Sequence, residues 1–291
     1  MDINYELYKV FYHVAVTLSF SEASKQLFIS QSAVSQSIKV LERKLNQPLF
    51  IRSTKRVQLT PEGEILLKHV EPAMNLIRKG ENQLLEANTL NGGQLRIGAS
   101  DTICRYYLVN YLKQFHLAYP NVHIKVTNRT SIECAQLLEN GQVDFIITNY
   151  PNSGLSNTQN VRMIYEFRDV FVANRNHFPL EGQTLTLQKL QNYPILMLDR
   201  KSTTSEFLHR MFQRNQLDLV PEIELSSNDL LIDLARIGLG IAFVPDFCIP
   251  KKEHQLYVLD LEESLPARQI VVAYNENLPI SQAAKQFMDM L

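Results

Sequence analysis

The chain has 291 residues, 45% of them hydrophobic and 20% charged, a composition that predicts about two globular domains. No apolar run approaches the ~20 residues of a membrane span. The start, Met1 to Val10, carries Asp2 and Glu6 and lacks the basic and apolar regions of a signal peptide, so a cytoplasmic location is expected. Cys104, Cys134 and Cys248 are far apart and show no metal-ligand spacing, so neither a disulfide framework, a metal site nor a cofactor is expected. The net charge of -1 is uneven: residues 1–60 hold eight Lys/Arg against four Asp/Glu, the rest 21 against 26. Such a basic first segment is the footprint of a polyanion partner, although a solvated charged face has the same composition.

From Ser21 to Leu45 the sequence reads as two short helices. Ser21 is a candidate N-cap with Glu22 in the first turn, and Ala23 and Leu27 share a face. Phe28-Ile29-Ser30 breaks the pattern, and Ser30 can cap a second helix. There Val34, Ile38, Leu41 and Leu45 form one apolar stripe. The other face shows Gln31, Ser32, Ser35, Gln36 and Lys39, side chains able to address base edges and phosphates. An amphipathic helical hairpin with a polar outer face accounts for the periodicity equally well. The next segment shifts the balance. Pro48 to Thr60 alternates around a basic turn carrying Arg52, Lys55 and Arg56, as the wing of a DNA-binding domain would.

The run from Ser19 to Gly63 resembles the LysR-type transcription regulators, with SQSAVS, the Leu41-Glu42 pair, Pro48-Leu49-Phe50 and Leu59-Thr-Pro-Glu-Gly63 in family order and spacing. Ser32 departs from the proline common there, which should relax the helix entry. The resemblance extends over essentially the whole chain. It implies a dimeric or tetrameric regulator that binds a promoter inverted repeat in double-stranded DNA and meets RNA polymerase. It also implies a two-lobed α/β effector domain resembling periplasmic solute receptors.

Thr60-Pro61-Glu62 starts a long helix: hydroxyl cap, proline at the first position, acid in the first turn. Leu66, Val70, Ala73, Ile77, Gly80, Leu84 and Ala87 then alternate by four and three, a heptad seam that the resemblance assigns to subunit pairing. A helix packed on its own domain would show part of the same pattern, and Pro72 predicts a kink. The expected domains are therefore a winged helix-turn-helix over residues 1–60, a linker helix over 61–91 and the effector domain over 92–291.

After Asn91-Gly92-Gly93, strands and helices alternate twice, which predicts an α/β unit with two lobes, about 92–163 with 268–291 and about 164–267. Crossover strands are expected near Val161–Glu166 and Pro266–Gln269. Hydroxyl clusters recur where strands should meet helices: Ser100-Asp101-Thr102, Thr130-Ser131, Thr148-Asn149, Ser202-Thr203-Thr204 and Ser226-Ser227-Asn228. Strand C-terminal ends facing helix N-termini suit a small polar effector, and each cluster has helix capping as its plain alternative. The resemblance implies Ser100, Thr102, Thr130, Ser131, Ser202, Thr203 and Asn228 as pocket-lining. Asp101 and Thr148 complete the candidate set. A carboxylate or an amino acid is expected, the amino acid if Asp101 faces the cleft rather than capping. Gly238 and Gly240 read as a helix stop, not a dinucleotide loop.

An enzyme is disfavoured, because no nucleophile elbow, P-loop or HExxH motif occurs and no catalytic residue can be named. A transporter's solute-binding protein would match the second half but not the basic first domain. A redox sensor would require Cys104 to be activated, with Arg105 the one basic neighbour in sequence.

Overall fold

The computed structural model describes residues 3–52, 56–87, 93–156, 159–250, 254–276 and 278–291. The chain divides into two compact units, Met1–Asn88 with Asn140–Gln142, and Thr89–Glu139 with Val143–Leu291.

In the first unit α1 (Tyr5–Thr17), α2 (Phe20–Leu27) and α3 (Gln31–Leu45) close around Phe11, Val14, Ala23, Val34, Ile38 and Leu41, all fully buried. Ser30 caps α3 as expected, its Oγ accepting from the Ala33 amide at 3.2 Å. The cap of α2 is Ser19 rather than Ser21: Ser19 Oγ accepts from the Glu22 amide, which places Ser21 inside the helix. β1 (Phe50–Arg52) and β2 (Val57–Leu59) pair antiparallel as the wing.

The family-like motifs acquire physical reasons here. Glu42 Oε1 accepts from the amides of Leu49 and Phe50, at 2.9 and 3.3 Å, and so fixes the start of the wing to α3. Thr60 Oγ1 donates to the Pro48 carbonyl at 2.7 Å and accepts from the Gly63 amide at 3.0 Å. A Cβ on Gly63 would stand 2.2 Å from the Leu49 carbonyl oxygen, so only glycine lets the next helix start so close to the wing.

That helix, α4 (Pro61–Ala87), runs through Pro72. The heptad seam divides. Leu66 and Val70 pack into the core of this unit together with Met74, whereas Ala73, Ile77, Gly80 and Leu84 are exposed.

The second unit opens with β3 (Gly93–Ala99) and α5 (Asp101–Ile103), which loosens into a π turn over Cys104–Leu108 and continues as α6 (Val109–Ala118). β4 (Val122–Asn128), α7 (Ser131–Glu139), β5 (Phe145–Tyr150) and β6 (Gln159–Phe167) complete the outgoing half of lobe I. Lobe II contains β7 (Asp169–Asn174), β8 (Thr184–Leu185), α8 (Leu187–Leu190), β9 (Ile195–Leu198), α9 (Thr203–Arg214) and β10 (Ile223–Leu225). It goes on through α10 (Asn228–Arg236), β11 (Ile241–Pro245), β12 (Leu256–Val258) and β13 (Asp260–Leu261). The chain returns to lobe I as β14 (Arg268–Asn275) and α11 (Gln282–Asp289).

The two main sheets have the orders β4-β3-β5-β14-β6 and β10-β9-β11-β7-β12. In each, three strands run parallel and the crossing strands add antiparallel pairs. Lobe I keeps the whole of β6 through Phe167, because that strand pairs along β14 as far as Arg268. The outgoing crossover thus falls at Arg168, beyond the Val161–Glu166 expected from sequence. Helices cover both faces of each sheet, as parallel strands buried on two sides require.

Candidate functional site

On α3 the buried stripe turns Gln31, Ser32, Gln36 and Lys39 outward, with Ser35 half-buried between them. Ser32, at the place of the family's proline, holds the Ser30 hydroxyl at 2.9 Å and so supports the cap. Arg52 ends β1, Arg56 is exposed at the foot of β2, and Lys55 lies outside the described residues. Phe28 ends α2 at φ 55° and is 94% exposed, an apolar ring at the turn preceding α3.

The second unit contains a cleft of about 310 Å³ between its lobes. Of the nine effector residues expected from sequence, eight line it: Ser100, Asp101, Thr102, Thr130, Ser131, Ser202, Thr203 and Asn228. Thr148 does not. It is fully buried and its hydroxyl accepts from Asn152 Nδ2 at 2.9 Å, while Asn149, one residue on along β5, faces the cleft. Strand alternation sends adjacent side chains to opposite faces, so only one of the pair could line the cleft. Sequence reasoning missed Asn128, Arg129, Glu133 and Leu198 as lining residues, while Asn149, Thr204 and Ser226 line the cleft from clusters it had named.

The hydroxyls fall into two groups, which settles the capping alternative residue by residue. Thr130 and Glu133 form a capping box: Thr130 donates from its amide and hydroxyl to Glu133 Oε2, at 3.1 and 3.0 Å, and accepts from the Glu133 amide. Ser202 caps α9, accepting from the Ser205 amide and donating to the Asp199 carbonyl, both at 3.0 Å. Ser100 caps α5, so Asp101 does not; Asp101 accepts from Asn128 Nδ2 at 3.0 Å and lines the cleft. Thr203 and Thr204 cap nothing. Their oxygens accept from the guanidinium of Arg268, and among the described residues no acceptor takes their protons.

Among the contacts that tie the lobes, three involve the starts of α5 and α10 and the π turn between α5 and α6. Asn228 Nδ2 donates to Thr102 Oγ1 at 2.9 Å, Tyr106 donates to Asp229 Oδ1 at 2.5 Å, and Arg105 pairs with Asp229 at 3.4 Å. Burial, then the bond to Asp229, pushes the Tyr106 hydroxyl pKa up, so Tyr106 acts as a donor. The π turn carries Tyr106 and Arg105 and presents both to α10. Asn149 and Asn228, both in the cleft lining, each bury an Oδ1 that no donor among the described residues meets.

The thiols are not activated. Burial, then Asp101, raises Cys104 to about 11, and burial raises Cys134 to about 12 and Cys248 still further. Arg105, the basic neighbour in sequence, is engaged with Asp229 instead. Among the described residues no group of His, Cys, Asp and Glu could hold a metal ion, and no helix is long and apolar enough to cross a membrane.

A winged helix-turn-helix followed by a two-lobed α/β domain with a polar cleft defines a DNA-binding regulator. Two family models cover nearly all of it. The bacterial regulatory helix-turn-helix protein, lysR family, matches residues 5–64, and the LysR substrate binding domain matches residues 88–291. The chain belongs to the LysR family of transcription regulators and is not an enzyme.

A probable RuBisCO transcriptional regulator from Nostoc sp. (strain PCC 7120) is 30% identical over 281 residues, covering 94% of this chain and 83% of the relative. A full-length OxyR variant from Pseudomonas aeruginosa superposes with a TM-score of 0.74 at 19% identity, covering 99% of this chain and 94% of that one. The regulatory domain of Synechocystis CcmR in complex with 2-PG gives a TM-score of 0.62 at 22% identity over 68% of this chain and 95% of that one.

Proposed function

We propose that this regulator reads a promoter inverted repeat as a dimer, and that a small polar acid held between the lobes of its second unit controls that activity. Gln31, Ser32, Ser35, Gln36 and Lys39 reach base edges from α3, with Arg52, Lys55 and Arg56 of the wing on phosphate. Two copies pair through the outward half of the α4 seam, where Ile77 and Leu84, one heptad apart, are 44% and 72% exposed. A tetramer would join two such pairs, and RNA polymerase is the partner through which the bound regulator acts. The cytoplasm is where all these partners meet.

The observation that carries the effector reading is the cleft itself. It joins helix starts and hydroxyls from both lobes with two buried amide oxygens that lack donors. A ligand with an acceptor-rich acid group and a hydroxyl or ammonium elsewhere satisfies both kinds of partner. Asp101, free of the cap and facing the cleft, favours the ammonium-bearing form, an amino acid. The CcmR regulatory domain, a neighbour of this fold, is in complex with 2-PG, which supports a small-molecule ligand here.

Gel shifts across a salt series, with and without candidate acids, test both halves. Gln31→Ala or Ser35→Ala should lower discrimination between operator and random DNA. Arg56→Ala should weaken both kinds of binding and reduce the salt slope by about one. Sedimentation of the Ile77→Lys, Leu84→Lys double variant should show monomers where the wild type is dimeric. A wild type with no preference for any promoter fragment, with or without acids, would refute the reading.

A further inference from the structure

Arg268 stands behind the cleft rather than in its lining, and among the described residues it is the largest side chain that is almost fully buried, 2% exposed. It begins β14, the strand on which the chain returns from lobe II to lobe I. Nη1 donates to Asp169 Oδ2 at 2.6 Å and to Thr204 Oγ1 at 3.0 Å; Nη2 donates to Thr203 Oγ1 at 3.1 Å. Asp169 begins β7, just after the outgoing crossover, and is fully buried. The rings of Phe167 and Phe207 stand 5.4 and 5.0 Å from the guanidinium carbon and hold the fork in place.

A guanidinium has five donors and no acceptor, so both threonine oxygens must accept from it. Each hydroxyl keeps its proton, and neither proton has an acceptor among the described residues, although both residues line the cleft. The amides of Thr203 and Thr204, in the first turn of a 12-residue helix, add donors at the same place. Asp169 balances the charge of Arg268, so what reaches the cleft is the orientation of two O–H dipoles rather than a net positive charge. An incoming ammonium or other donor could use only the second lone pair of each oxygen and would have to turn both protons aside. An anion would meet only donors.

We propose that Arg268 is a positioning residue that sets Thr203 and Thr204 as paired donors, so that this end of the cleft selects an anionic acceptor group, carboxylate or phosphate. The inference rests on the cleft being the effector site. It assigns one end of the ligand: the acid group lies against α9. Sequence alone leaves Ser202, Thr203 and Thr204 equivalent as cap or contact. The fork of Arg268 separates them.

The test is titration calorimetry on the full chain with four probes: 2-phosphoglycolate, glycolate, inorganic phosphate and the uncharged glycolamide. The wild type should bind at least one anion and discriminate glycolate from glycolamide. Thr203→Val and Thr204→Val should each weaken the anion about ten- to hundredfold, the loss expected for one hydrogen bond to a charged group. Thr203→Ser, which keeps the hydroxyl, should restore wild-type affinity.

Because removing Arg268 alone would leave Asp169 buried without its counter-ion, the informative variant is Arg268→Met with Asp169→Leu, an apolar replacement of the pair that such sites tolerate. It should melt as a folded protein and lose discrimination between glycolate and glycolamide, an effect that a merely structural ion pair would not produce. An Asn149→Trp variant, which fills the cleft, separates the two ideas. If Trp abolishes binding but both Val variants bind anions as the wild type does, the role of Arg268 is wrong and the cleft reading stands. If anions bind regardless of Trp, the cleft reading itself fails. A wild type that prefers glycolamide, or binds no anion at millimolar concentration, overturns the selection of an acid group by α9.

Discussion

The bond between Asn228 and Thr102 offers the sharpest measurement of how the two lobes are held. Asn228 is 3% exposed and opens α10, and its amide nitrogen lies 2.9 Å from the hydroxyl of Thr102 across the cleft. Its Oδ1 already lacks a partner. Thr102→Val keeps the shape of the side chain but removes the acceptor, which leaves the whole Asn228 amide buried and unpaired. That cost is about 1–3 kcal/mol, or about five- to 150-fold in the equilibrium that buries the group. Asn228→Leu removes the needy amide itself, and Thr102, half-buried at the cleft wall, can turn its hydroxyl to water, so this change should cost less. With both changes made, neither polar group remains to be left unmet. A double-mutant cycle by urea denaturation should therefore give a coupling of about 1 kcal/mol, with the double variant more stable than the sum of the singles implies. Hydrogen exchange should show the first turn of α10 opening more readily in Thr102→Val than in the double variant. Single effects that add within about 0.3–0.5 kcal/mol would mean the two side chains are neighbours without a bond that matters, and the reasoning would be refuted.

Two further outcomes follow from the site and from the motifs. With its thiol raised to about 11, Cys104 should react with iodoacetamide at neutral pH about a hundredfold more slowly than an ordinary cysteine, its rate rising with pH until the thiolate forms near that value; a midpoint below 9 by mass spectrometry would contradict the burial argument. Gly63→Ala must move either α4 or the Leu49 carbonyl, because its Cβ would fall 2.2 Å from that oxygen, so the melting temperature should drop while a surface control such as Lys39→Ala leaves it unchanged.

The features legible in the sequence are those whose causes lie close together along the chain. The stripe Val34, Ile38, Leu41 and the Ser30 cap are one helix's own periodicity and its own first turn. The wing and the start of α4 rest on Glu42, Thr60 and Gly63, each acting over 12–14 residues or fewer. The cleft lining was legible for a related reason: a hydroxyl cluster at each strand-to-helix junction marks where an α/β sheet gathers its loops. The errors are also local. The cap of α2 moved from Ser21 to Ser19 because either serine can start a helix two residues apart, and only the position of Ala23 in the core decides between them. Thr148 and Asn149 are adjacent on one strand, and hydroxyl chemistry says nothing about which of them faces the cleft.

What could not be read is the layer behind the lining, and it decides the chemistry. Arg268 meets Asp169 across 99 residues and the two threonines across 64 and 65, so no window of sequence contains the arrangement. In the sequence an arginine just before an apolar strand reads as an ordinary surface charge. Its burial is imposed by topology: the two crossovers between lobes must run side by side, and that brings the first residues of β7 and β14 beneath the start of α9. The same fold recurs in the OxyR structure at 19% identity, so the architecture tolerates wide change in sequence. Within it, ligand preference can be altered by substitutions that never touch the ligand, since turning two hydroxyls changes a donor pair into an adaptable one. Comparing the cleft lining alone would therefore miss a determinant of specificity. The residues to compare between such domains are the lining hydroxyls together with whatever group, here a buried guanidinium, fixes the direction of their protons.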